Sequence, residues 1–182
     1  IDPLIKLAVI HYQFEAIHHF TDGNGRTGRI VNILYLIEAG LLDIPVLYLS
    51  RHIIDHKNDY YTGLRQVTEA HGWEPWTLYM LHAIEQTARA TRERILAIRD
   101  ALNESIERVR IDLPKIYSKD LMELLFRQPY CKIRFLEAAG IAQRKTASHY
   151  LQELARIGLL SPIKAGREMY YLNTALLKIL VA

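Results

Sequence analysis

Residues 18–29 read His-His-Phe-Thr-Asp-Gly-Asn-Gly-Arg-Thr-Gly-Arg and concentrate more chemistry than any other stretch of the chain. Glycines let a backbone turn tightly and bring its N–H groups close to an anion. If the apolar run from Arg29 onward is a helix, the turn lies at its N-terminus, where unpaired N–H groups and the helix dipole attract phosphate. Arg26 and Arg29 add planar, permanently charged donors suited to phosphate oxygens. Asp22 offers a hard oxygen to Mg²⁺, which keeps waters and takes further ligands from substrate phosphates. His18 supplies a base of the kind that works near neutral pH. The set reads as a nucleotide phosphate site with its own general base. A plain helix cap would account for Gly23 and Asn24, but not for the histidine, the carboxylate and both arginines together.

Two helices must position this turn. Asp2-Pro3 starts the first, with Asp as N-cap and Pro at the first helical position. Leu4, Leu7, Ala8, Ile10, Phe14 and Ile17 then recur at helical spacing and stop just before His18. Ile30, Ile33, Leu34 and Ile37 carry the second helix to Gly40. Asp43-Ile44-Pro45 breaks the pattern, and Ser50 is placed as the cap of a third helix carrying Ile53, Ile54, Tyr60, Tyr61 and Leu64. A long helical pattern runs from about Glu74 to about Ile111. Phe20 is expected to anchor His18 in the core, and Trp73 and Trp76 to pack. His52 and His56 stand at i, i+4, a spacing open to metal but without further ligand-type neighbours.

Leu113-Pro114 marks the expected boundary between a domain at 1–112 and a second at 113–182. Charge divides the same way. Residues 1–113 hold 12 Lys and Arg against 15 Asp and Glu, whereas residues 114–182 hold 11 against 5. The second region therefore favours an acidic partner. In it, Ser118 caps a helix through Leu125, a short helix spans about Lys132 to Ala139, and another spans about Arg144 to Ile157. Leu159–Lys164 and Glu168–Leu172 form a hairpin around Ala165-Gly166-Arg167. Three helices and a hairpin resemble a winged helix-turn-helix. In that geometry the second motif helix presents Gln143, Arg144, Lys145, Thr146, Ser148 and His149, with Arg167 at the wing tip. DNA binding and a docking or dimerisation role both remain open, because fold alone does not assign function.

The 182 residues are half hydrophobic, which suits a packed core. One cysteine, Cys131, excludes an internal disulfide framework and fits a reducing compartment, so a cytoplasmic home is expected. No apolar run is long enough to span a bilayer, and no signal peptide is visible. The start at Ile1 reads as a processed terminus or an excised fragment.

Residues 18–29 also resemble the signature of the Fic family, His-Pro-Phe-x-Asp/Glu-Gly-Asn-Gly-Arg-x-x-Arg, with His19 in place of the proline. The resemblance covers roughly residues 1–112 and implies a mostly α fold. It would be a partial Fic-type helical core lacking its N-terminal part, followed by the winged-helix tail as in many bacterial members. It further implies a protein adenylyltransferase that moves AMP from Mg²⁺-ATP to a Ser, Thr or Tyr hydroxyl of a target protein. His18 would take the hydroxyl proton, and Asp22 would hold Mg²⁺ against the α and β phosphates. Gly23, Asn24 and Gly25 would form the anion turn, with the Asn24 side chain on the α-phosphate. Arg26 would hold the outer phosphates, and Arg29 would anchor the loop through Asp22. Thr27 and Gly28 lie in the same nucleotide-binding segment. Tyr60-Tyr61 matches a tyrosine pair of the nucleotide pocket, one ring against adenine or ribose and the other buried, or both in the core. The inhibitory pattern of relatives, Ser/Thr-x-x-x-Glu-Gly/Asn, does not occur in the chain. Removal of AMP, other nucleotidyl or phosphoryl transfer, and a nucleotide-sensing DNA regulator are the competing readings.

Overall fold

The computed structural model describes residues 1–181. Its compact units are Ile1–Arg92 and a second beginning at Glu93. The first holds α1 (Pro3–Ile17), α2 (Asn24–Glu38), α3 (Leu49–Asp55), α4 (Lys57–Ala70) and the first half of α5 (Trp73–Asp112). Asp2 caps α1 as its type predicts, its carboxylate accepting from the Leu4 N–H at 2.8 Å. Leu7, Ala8, Leu36, Leu49, Ile53, Val67, Trp76 and Met80 form the core of this unit. Trp76 is fully enclosed, and its indole N–H donates to the Ala8 carbonyl at 2.8 Å, which ties α5 to α1. A Cβ on Gly63 would stand 2.9 Å from the Trp76 ring, so α4 can lie this close to α5 only with glycine there.

The third helix of the sequence reading is two helices. The backbone breaks at His56, which ends α3 and precedes α4. Ser50 lies inside α3 instead of capping it, and its hydroxyl is engaged elsewhere.

The second unit continues α5 and adds α6 (Lys119–Phe126), β1 (Tyr130–Cys131), α7 (Ile133–Ala138), α8 (Arg144–Arg156), β2 (Leu160–Ala165), β3 (Glu168–Asn173) and α9 (Thr174–Val181). The Ser118 hydroxyl accepts from the Leu121 N–H at 3.2 Å, as expected of a cap. The hairpin is present, and a strand the sequence did not reveal, β1, joins it in the order β1-β3-β2, all antiparallel. The core combines Val109 and Leu113 with Leu121, Leu125, Leu136, Leu151, Leu154 and Tyr171. Leu113, where the sequence placed a boundary, is thus a core residue of this unit. Cys131 is buried, and burial pushes its thiol up to about 11, so it is an inert packing residue at neutral pH. No helix among the described residues is long and apolar enough to cross a membrane.

Candidate active site

α1 ends where the chemistry begins. His18 is its C-cap in the left-handed conformation at φ 52°, with its N–H donated to the Phe14 carbonyl. The imidazole at this helix end is exposed. Residues 19–23 loop back, and Gly23, also left-handed at φ 88°, forms the N-cap of α2. The helix therefore starts at Asn24, five residues before the apolar run at Arg29. Gly25 and Gly28 lie within it despite their low helix propensity. No side chain caps α2, and a helix leaves its first N–H groups without internal partners, an end of the kind that suits an anion.

Asn24 has a different task from the one expected of it. Its amide is 3 % exposed, accepts from the Phe20 N–H at 2.9 Å and donates to the Phe20 carbonyl. Both ends of the side chain close the loop. The loop ion pair is also different: Arg26 reaches Asp22 at 3.1 Å, both exposed, whereas Arg29 donates to the Ser50 hydroxyl of α3 at 2.7 Å. Phe20 is half-exposed, with its ring near Phe14 and His19 instead of in the core.

Beneath the turn lies a polar layer that the sequence reading did not single out. His11 is fully buried between the Tyr60 hydroxyl at 3.0 Å and the Asn32 amide at 3.1 Å. Burial, helped by the Arg29 charge, holds its imidazole down at about 4, so the ring is neutral. Burial also raises the Glu15 carboxyl, against the opposing charges of Arg29 and His18. One Glu15 oxygen is buried without a hydrogen-bond partner. A Cβ on Gly28 would stand 2.7 Å from Glu15 Oε1, 3.1 Å from Phe14 Cδ1 and 3.3 Å from His11 Cε1. His11, Glu15 and His18 recur at i, i+4, i+7, a polar stripe on an apolar helix, and that spacing was the available signal.

Tyr60 and Tyr61 separate. Tyr60 is 4 % exposed, its hydroxyl occupied by His11 and its ionisation suppressed by burial, so it is the buried member of the pair. Tyr61 is exposed. In the second unit, Gln143 is the N-cap of α8, which has no side-chain cap, and Arg144, Lys145, Thr146 and His149 are exposed along its first turns. Ser148 accepts from Gln152 at 3.2 Å, and Arg167 follows Gly166 at the exposed hairpin turn.

An exposed histidine at one helix end, an uncapped helix N-terminus and an exposed acid–arginine pair thus lie on one short turn, and two stretches of the chain are similar to Fic proteins. Residues 1–36 match the Fic/DOC family model. Residues 102–176 match the C-terminal domain of protein adenylyltransferase SoFic-like proteins. Among curated relatives, the protein adenylyltransferase Fic of Nematostella vectensis is 35 % identical over 89 residues, covering 48 % of this chain and 19 % of that protein. A probable protein adenylyltransferase of Aquifex aeolicus is 38 % identical over 69 residues, 38 % of this chain and 19 % of its own. A Caenorhabditis elegans protein adenylyltransferase is 36 % identical over 64 residues, 35 % of this chain and 11 % of its own. The chain thus spans less than a fifth of the length of these relatives.

Proposed function

We propose that the chain carries the catalytic turn of a protein adenylyltransferase. The observation that carries this reading is the exposed His18 at the end of α1, set against the uncapped start of α2 with its Asp22–Arg26 pair. In the reaction, a Ser, Thr or Tyr hydroxyl oxygen of a target protein attacks the α-phosphorus of ATP. The bond to the bridging oxygen breaks and pyrophosphate leaves, while His18 takes the hydroxyl proton. The first N–H groups of α2, from Asn24, Gly25 and Arg26, receive the phosphate oxygens. Arg26 exchanges Asp22 for the outer phosphates, and Arg29, fixed by Ser50, holds the helix start.

Mg²⁺ fits this donor set. Among the described residues no three His, Cys, Asp or Glu side chains gather into a metal cluster, so the protein offers one exposed carboxylate, Asp22. That suits an ion completed by phosphate and water. When bound, Mg²⁺ would neutralise phosphate charge.

The order helix, strand, two helices, then hairpin in residues 119–173 supports the winged-helix reading of the tail. An ATP-consuming enzyme with a single buried thiol suits the cytoplasm. The chain is incubated with α-labelled or γ-labelled Mg-ATP and a cell lysate. Label retained from the α position alone supports AMP transfer, whereas label from γ alone means a kinase. Release of AMP from pre-modified protein means the reverse activity.

A further inference from the structure

The second unit carries a groove of about 310 Å³ lined by Lys132, Arg134, Glu137, Arg144, Arg167 and Glu168. Four cations thus come from three elements: the start of α7, the start of α8 and the hairpin turn. Lys132 is the buried member, paired with Glu168 and donating to the Tyr170 hydroxyl at 2.9 Å, its ammonium 4.0 Å from the Tyr170 ring. This partly buried tie anchors the turn end of the hairpin to the start of α7 and also engages the Glu168 carboxylate. Among the described residues, Arg134, Arg144 and Arg167 form no ion pair, whereas Arg108, Arg110 and Arg156 of the same unit each pair with a carboxylate. Among the described residues, the groove therefore holds three guanidinium groups without an ion-pair partner against the one unpaired carboxylate of Glu137, a net positive setting for an external anion beside an uncapped helix N-terminus.

We propose that this groove seats a backbone phosphate of duplex DNA, with α8 laid along the adjacent base edges. The outward face of α8 decides between nucleic acid and protein. Gln143, Arg144, Lys145, Thr146, His149 and Gln152 are all exposed. No acidic residue stands in its first turn. Protein interfaces centre on apolar and aromatic groups and exclude charge from their middle, and this face has neither property. Hydrogen-bonding side chains beside a phosphate anchor are what readout of base edges requires. A single strand would need exposed aromatic platforms, which this face also lacks. The inference uses residues distant in sequence from the His18 turn and does not depend on AMP transfer.

The test is fluorescence anisotropy of a labelled, mixed-sequence DNA duplex titrated with the full chain at several salt concentrations, without nucleotide. Binding should weaken with salt. Arg134→Gln, Arg144→Gln and Arg167→Gln should each reduce the slope of log affinity against log salt by about 0.9. The triple variant should lose at least tenfold in affinity, while Arg94→Gln on α5 should leave it unchanged. Circular dichroism melts of the variants show that the fold persists. No salt-dependent binding, equal binding by the triple variant, or tighter binding of a phosphoserine peptide than of the duplex would overturn the proposal.

Discussion

The two uncapped helix starts, α2 at Asn24 and α8 at Arg144, present the same free N–H groups in opposite settings. At α2 the turn brings its own carboxylate and an exposed imidazole, and its arginine is already paired with Asp22 at 3.1 Å. Beneath it sits a buried layer of His11, Asn32, Tyr60 and Glu15. At α8 the groove carries three arginines without ion pairs among the described residues, and of its two carboxylates Glu168 is tied to Lys132 while Glu137 is unpaired. On the function proposed above, the α2 start is a reaction site because a proton acceptor and a charge that can be exchanged lie within the same turn. With a surplus of cations alone, a helix start is a place to bind.

Several changes should break or sharpen this contrast. The largest expected effect is His18→Ala, which should lower AMP transfer about 10²–10⁴-fold while nucleotide binding survives, because the base acts on the acceptor hydroxyl. His19→Ala should do far less. If His19→Ala is the inactive one, the base has been assigned to the wrong ring. Arg144→Gln should leave transfer at the parent rate.

Next comes the buried layer. His11 is neutral when folded, with its proton affinity held down at about 4 against 6.5 for a free histidine. The unfolded chain then binds more protons at intermediate pH. The stability this contributes is complete above pH 6.5 and is lost as pH falls toward 4, by about 3 kcal/mol. Melting temperatures measured across that window should fall, and His11→Gln should flatten the dependence. A parent profile already flat between pH 6.5 and 4 would refute the assignment. Gly28→Ala should destabilise by about 1–3 kcal/mol through overpacking, read as a lower denaturation midpoint with unchanged slope.

Smallest is Arg26→Ala, which should weaken ATP about tenfold and AMP little, since the guanidinium serves the outer phosphates. Calorimetric titration with both nucleotides separates the two, and equal losses would contradict the role.

Much of this was legible in the sequence because it obeys local rules. Asp2-Pro3, the apolar spacing to Ile17, the Ser118 cap and the hairpin around Gly166 each appear where short-range preferences put them. The failures have a common cause in tertiary structure overriding propensity. Gly25 and Gly28 read as loop, yet they are helical, and a Cβ there would meet Arg29 at the first and Glu15 and Phe14 at the second. β1 has only two residues and exists through its pairing with β3, with no signal of its own. The choice between Tyr60 and Tyr61 was open because neighbours on one helix differ only in what faces them, and His11 sits 49 positions away from Tyr60 in the chain. Asn24 was given to phosphate because sequence cannot show that the Phe20 backbone claims its amide first.

The missing Cβ of Gly28 also constrains how this molecule can evolve. Three side chains of α1, at positions 11, 14 and 15, converge on that one vacancy. A substitution at 28 therefore costs less once α1 has changed: a shorter side chain at 15 removes the closest contact, at 2.7 Å, and leaves those to Phe14 and His11. These positions form one heritable unit spread over two helices, in which the benefit of any replacement depends on the order in which the others arrive.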